Sequence, residues 1–202
     1  MERRSVKTPA GADVKNPGIV RFLFNDPRMA PLWTIVRVLI GLKWLEIAIP
    51  KLSNPGWIET GAIVRGFWEN QVRVPEAGPA PITYGWYRDI IQGLLDAEAY
   101  QWMAPSIVVL EVMFGVMFIL GAFVGFTALA AAFLHWTYLM AGSAGNNGIM
   151  FPATVLLIAA WKVAGYYGLD YFLMRRISAL WSPGMASDMQ DNNLAPQPGA
   201  GD

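Results

Sequence analysis

MAPSIVVLEVMFGVMFILGA, residues 103–122, is a run of 20 residues in which one ionisable group, Glu111, stands among branched, aromatic and small side chains. A helix needs about 20 such residues to cross a hydrocarbon core of about 30 Å, so the stretch reads as a membrane span. Three further stretches share its character: Pro31 to Ile49, Phe126 to Ala141 and Ile149 to Met174. They too carry ionisable residues inside apolar sequence, namely Lys43 and Glu46, His135, and Lys162. A charge in hydrocarbon costs at least about 2.5–3.5 kcal/mol, so such groups persist where they are paired, hydrated or functional. The expectation is an all-α integral membrane protein, a four-transmembrane-helix bundle with a polar interior.

Composition agrees. Of 202 residues, 54% are apolar, 13% aromatic and only 15% charged, and mean hydropathy is positive, a balance foreign to ordinary soluble domains. Net charge is zero and no long basic run suggests nucleic acid as a partner. The chain has no cysteine and a single histidine. Disulfides, thiolate chemistry and cysteine-held iron–sulfur clusters are thereby excluded, as is haem ligated by two histidines. No metal, haem or cluster is expected, and any electron carrier is diffusible or sits on a partner.

The first span opens at Pro31, where a helix start tolerates proline, and is expected to end at Pro50, Asn54, Pro55 and Gly56. Gly121 and Gly125 bracket a tight connection between the second and third, and the Gly/Asn-rich segment 142–148 closes the third. Arg3, Arg4, Lys7, Lys15, Arg21 and Arg28 precede the first span, and Arg175 and Arg176 follow the last. By the positive-inside rule both termini are cytoplasmic, which makes this a multi-pass protein of the cell's inner membrane. Three regions result: a cytoplasmic segment 1–30, a membrane domain 31–174 and a cytoplasmic tail 175–202 whose Pro, Gly, Asn and Asp content predicts disorder. Within the domain, the outer segment 51–102 holds two amphipathic patterns that suggest interfacial helices. In one, Trp57, Gly61, Val64, Phe67 and Trp68 share a face; in the other, Ile90, Ile91, Leu94 and Leu95 oppose Asp89, Gln92 and Asp96.

Counting at 1.5 Å per residue places Lys43, Glu46, Glu111 and His135 roughly 8–12 Å below the outer surface, with Lys162 nearer the midplane. Arg37 and Asp170 form a second layer toward the cytoplasm, and Lys162, Tyr166 and Asp170 lie on one ridge of their helix. Two readings stand. In one, Lys43 pairs with Glu111 and Arg37 with Asp170, and the pairs merely hold four helices in register. In the other, the outer group binds an anionic or quinone-like head group and passes protons to the surface. Trp44, Trp136, Tyr138 and Trp161 flank that layer and either pack or sandwich a flat ring.

Four stretches, RVLIGLKWLEIAIPKL, the tightly paired second and third spans, AGSAGNNGIMFP and GYYGLDYFL, resemble the DoxX-like membrane proteins. The nearest branch is DoxD, the large subunit of thiosulfate:quinone oxidoreductase. The resemblance covers Trp33 to Met174 and rests on Arg37, Gly41, Lys43, Asn147, Pro152, Gly168, Leu169 and Asp170. It implies a four-helix subunit passing electrons from thiosulfate to membrane quinone, with a separate DoxA-like chain as partner. In that scheme Arg65, Arg73 or Arg88, with Asn147, attract the sulfur anion. Lys43 and Lys162 bond quinone oxygens beside Trp44, Trp136 and Tyr166, while Glu46, Glu111 and His135 handle protons. The alternative is a non-catalytic scaffold of a respiratory or photosynthetic assembly.

Overall fold

The computed structural model describes residues 17–173 together with the strand residues 6–7 and 13–14. Arg3, Arg4, Lys15, Arg175, Arg176 and the tail therefore lie outside the described residues. The fold is all-α apart from a two-residue antiparallel pairing of β1 (Val6–Lys7) with β2 (Asp13–Val14). A short helix α1 (Gly18–Asn25) leads into a 3-10 turn at Pro27–Met29, which Asp26 caps by accepting from the Arg28 N–H at 2.9 Å.

The first long helix, α2 (Ala30–Leu52), runs through Pro50 rather than ending before it. A proline in the last turn removes one hydrogen bond without stopping the helix, and Lys51 thus stays helical. The segment 51–102 contains α3 (Pro55–Ile58), α4 (Ala62–Gln71) and α5 (Gly85–Asp96). The single face expected from Trp57 to Trp68 is broken at Gly61, whose φ of +66° turns the chain. A Cβ at Gly61 would collide with the Tyr100 carbonyl. Val64, Trp68, Tyr87 and Ile91 form a small core between these helices and Tyr100 and Ala104. The Tyr87 hydroxyl donates to the Thr137 carbonyl at 2.9 Å, and burial raises its pKa.

Two long helices follow, α6 (Tyr100–Leu120) and α7 (Val124–Met140), joined by a turn in which Gly121 and Phe123 have φ of +69° and +48°. The fourth segment is not one continuous helix. It breaks at Ala160 into α8 (Asn147–Ala159) and α9 (Trp161–Ala164), turns at 165–167, and becomes helical again from 169. Helix α2 packs mainly on α6 and α7 on α8, with α2–α8 and α6–α7 contacts closing a four-helix ring. Glycines allow the tightest crossing: a Cβ on Gly41 would stand 2.8 Å from the Gly115 carbonyl oxygen. Small residues on α7, Ala128, Ala131 and Ala132, are buried toward its neighbours. Among the described residues, α6 is the one helix both long and apolar enough to cross a membrane, while α7 and α8 are apolar but shorter. Helix α2 has the length but carries Arg37, Lys43, Glu46 and Lys51.

Candidate functional site

Each helix buries a narrow face. On α2 that face contains Trp33, Arg37, Ile40, Gly41, Trp44 and Ala48, and the heptad steps from Arg37 to Trp44 and on to Lys51 keep Lys51 on the same ridge. Helical side chains lean toward the N-terminus of their own helix. Lys51 accordingly reaches back into the bundle, where its Nζ lies 2.8 and 2.7 Å from the two carboxylate oxygens of Glu111. Tyr138 adds a third bond, its hydroxyl donating to Glu111 Oε1 at 2.8 Å. Glu111 is 1% exposed and the Lys51 side chain 16%. The ammonium also lies 4.3 Å from the centre of the Trp57 ring, which covers it from the α3 side.

Lys51, not Lys43, is thus the counter-charge of Glu111. Lys43 is one residue off the buried ridge, about 100° around the helix from Trp44. It bonds Glu46 at 2.7 Å, with side chains 36% and 67% exposed, so both residues lie outside the bundle interior. Lys162 is likewise exposed, its Nζ 5.4 Å from the centre of the Trp161 ring. Tyr166 is 42% exposed and Trp136 37%, the latter stacked on Phe133 at 5.7 Å between ring centres.

The interior does bring together Trp44, His135 and Asn147, while Glu111 is bonded to Lys51 and Tyr138. Trp44 and His135, each 1% exposed, lie with ring centres 4.6 Å apart and planes tilted by 31°. Phe114 meets the same indole edge-on at 5.5 Å. His135 Nδ1 is 2.9 Å from Asn147 Oδ1, and the Asn147 amide donates to the Ser143 carbonyl at 3.0 Å. Tyr138 stands one turn beyond His135 on α7, which links this group to Glu111.

Arg37 and Asp170 do not form the expected direct ion pair; each serves a helix end instead. Arg37 Nη1 donates to the Phe118 carbonyl at 2.7 Å and the Ile119 carbonyl at 3.4 Å, while Nη2 donates to the Tyr167 carbonyl at 3.3 Å. The cation therefore sits at the C-terminal end of α6. Asp170 accepts from the N–H groups of Phe123 and Val124 at 2.6 and 2.8 Å, placing the anion at the N-terminus of α7. Both positions complement the partial charges of helix termini.

Arg65 and Arg73 line a surface groove of about 430 Å³ with Glu69, Asp96, Glu98 and Tyr100. Arg65 bonds Glu69 at 2.7 Å, and that bond foremost raises its pKa. Three carboxylates against two guanidinium groups make a poor cradle for a dianion. Arg88, on α5, is outside the groove lining. Lys51 is the interior residue that sequence reasoning missed, although the heptad from Arg37 through Trp44 pointed to it; Tyr138, which the sequence places in this layer only as a flanking aromatic, is a hydrogen-bond donor to Glu111.

Comparison with protein-family models, with curated proteins and with solved structures finds no match to this chain.

Proposed function

We propose that this protein is a multi-pass inner-membrane subunit of a redox complex, of the DoxX type, that receives a quinone head group among Trp44, His135 and Asn147. Support for the membrane part comes from the apolar exterior of the helices. Leu32, Ile35, Leu39 and Leu42 on α2, Val109 and Val116 on α6, and Phe126, Leu129 and Phe133 on α7 are all exposed. A belt of that extent costs little in lipid and a great deal in water. The observation that carries the binding part is the buried pair of Trp44 and His135, each with a ring nitrogen lacking a hydrogen-bond partner among the described residues. Flat rings suit an aromatic wall; the indole N–H can donate to an oxygen of the head group, and the imidazole Nε2 can accept from the hydroxyl of its reduced form. Oxidation of thiosulfate or a similar anion would belong to a separate DoxA-like outer chain, since the Arg65 groove is acid-rich. Helices α3 to α5 would then lie at the outer membrane surface.

The second reading, a scaffold without its own reaction, draws on Glu111. Its carboxylate is fully occupied by Lys51 and Tyr138, which suits a permanent strut as well as a proton station.

Topology is tested in intact cells, using the absence of native cysteine. A cysteine replacing the exposed Ala77 should react with an impermeant maleimide from outside, and one replacing Asn25 only after the membrane is opened. Labelling of Asn25→Cys alone in sealed cells would reverse the orientation. Function is tested on the complex isolated from its own membrane. Short-tailed quinone and its hydroquinone should each quench tryptophan emission saturably; Trp44→Phe should weaken both, and His135→Phe the hydroquinone, by about tenfold or more while assembly stays intact, as expected for the loss of about 1.4 kcal/mol or more. Unchanged affinity in both variants leaves the scaffold reading.

A further inference from the structure

Asn147 fixes the tautomer of the chain's single histidine. Its amide nitrogen donates to the Ser143 carbonyl, so its Oδ1 is the atom presented to His135 Nδ1, and a carbonyl oxygen only accepts. The proton of the neutral imidazole is therefore on Nδ1. With no carboxylate bonded to it and 1% exposure, the ring stays neutral. Nε2 is left with a lone pair, and it has no partner among the described residues. Across the stack, Trp44 Nε1–H is a donor in the same condition.

The two cannot satisfy each other. Ring N–H bonds and lone pairs lie in the ring plane, and these planes face one another at a tilt of 31° with centres 4.6 Å apart. One oxygen bonded to both nitrogens requires them to lie within about 6 Å of each other, twice an ordinary hydrogen-bond length, and ring centres 4.6 Å apart permit that. An acceptor beside a donor selects a group that both gives and takes a hydrogen bond. A quinone carbonyl could serve Trp44 but not Nε2.

We propose that Trp44 Nε1–H and His135 Nε2 together form a site for one hydroxyl group, which donates to the imidazole and accepts from the indole. The hydroxyl belongs either to a buried water or to a membrane-soluble phenol such as a hydroquinone. The site goes beyond the quinone reading, because water alone would complete it.

One histidine makes the test direct. The full chain, labelled with ¹⁵N-histidine and ¹⁵N-tryptophan in lipid nanodiscs, gives two imidazole signals from one ring. Nδ1 should be protonated and Nε2 unprotonated but hydrogen-bonded. The Trp44 indole proton, assigned by its loss in Trp44→Phe, should show a cross-peak to a hydroxyl proton. Adding a short-tailed hydroquinone separates the sources: unchanged Nε2 and indole signals with a water cross-peak identify water, and joint movement of both signals identifies the phenol. Asn147→Leu should shift the proton toward Nε2. A proton on Nε2 in the wild type, an Nε2 shift typical of a free lone pair, or movement of one nitrogen without the other overturns the proposal. These wild-type readings decide it even where a variant fails to fold.

Discussion

Lys51→Met should remove most of the folded protein, although Lys51 lies one residue from the end of its helix. Glu111 is 1% exposed and takes two of its three hydrogen bonds from Lys51. Removing the ammonium leaves a buried carboxylate with only Tyr138, at a cost of about 3–5 kcal/mol. Whole-domain stability is about 5–15 kcal/mol, so a loss of that size is visible as reduced accumulation and a lowered melting temperature in detergent. The triple change Lys51→Met, Glu111→Leu and Tyr138→Phe should recover most of both, because an apolar pair of similar volume replaces a buried ion pair at little cost or with gain and the Tyr138 hydroxyl that Glu111 accepts from is removed with it. Lys43→Met, on the exposed pair with Glu46, should change melting negligibly. If Lys43→Met were the damaging change and Lys51→Met the silent one, the assignment of Glu111's partner would be wrong.

The contrast between those two lysines shows how far the sequence reaches. Charges in apolar stretches announced a polar interior, and Arg37, Glu111, His135 and Asp170 are all buried. Depth was read by counting along each helix, but partners are chosen by rotation around it. Counting gives Lys43 a depth near that of Glu111, yet it faces away; Lys51 starts eight residues further along, about two turns, and leans in. Local rules fail at that point because Pro50 looks like a terminator, yet the helix runs on through Leu52. Lys162 was misplaced for the complementary reason. No glycine or proline marks the break at Ala160, so periodicity carried the helix straight through. The sequence pairs Arg37 with Asp170, yet their hydrogen-bond partners are backbone groups, which side-chain charge alone does not reveal.

Gly121→Ala is expected to be as harmful as losing Lys51, and for reasons that separate cleanly. The φ of +69° at Gly121 is left-handed, which costs a residue with a Cβ about 1–2 kcal/mol. Gly78, with φ of +93° and nothing within 4 Å of an added Cβ, carries only a penalty of the backbone kind, so Gly78→Ala calibrates it. At Gly121 the new methyl would also overlap the Arg37 guanidinium and lie 2.8 Å from the Gly168 Cα. Arg37 cannot yield without releasing the Phe118 and Tyr167 carbonyls, and a hydrogen bond to a charged group contributes about 1.5–3 kcal/mol. Gly168 cannot yield without moving the segment that carries Asp170, the cap of α7. The two effects together should lower the melting temperature several-fold more than Gly78→Ala does. Asp170→Asn, which keeps shape but loses the charge at the α7 N-terminus, should fall between them, since a charged cap in a partly buried setting contributes up to about 2 kcal/mol. Equal melting for Gly121→Ala and Gly78→Ala would mean that Arg37 does not fill the turn, and the joint built from Arg37, Gly121, Gly168 and Asp170 would have to be abandoned.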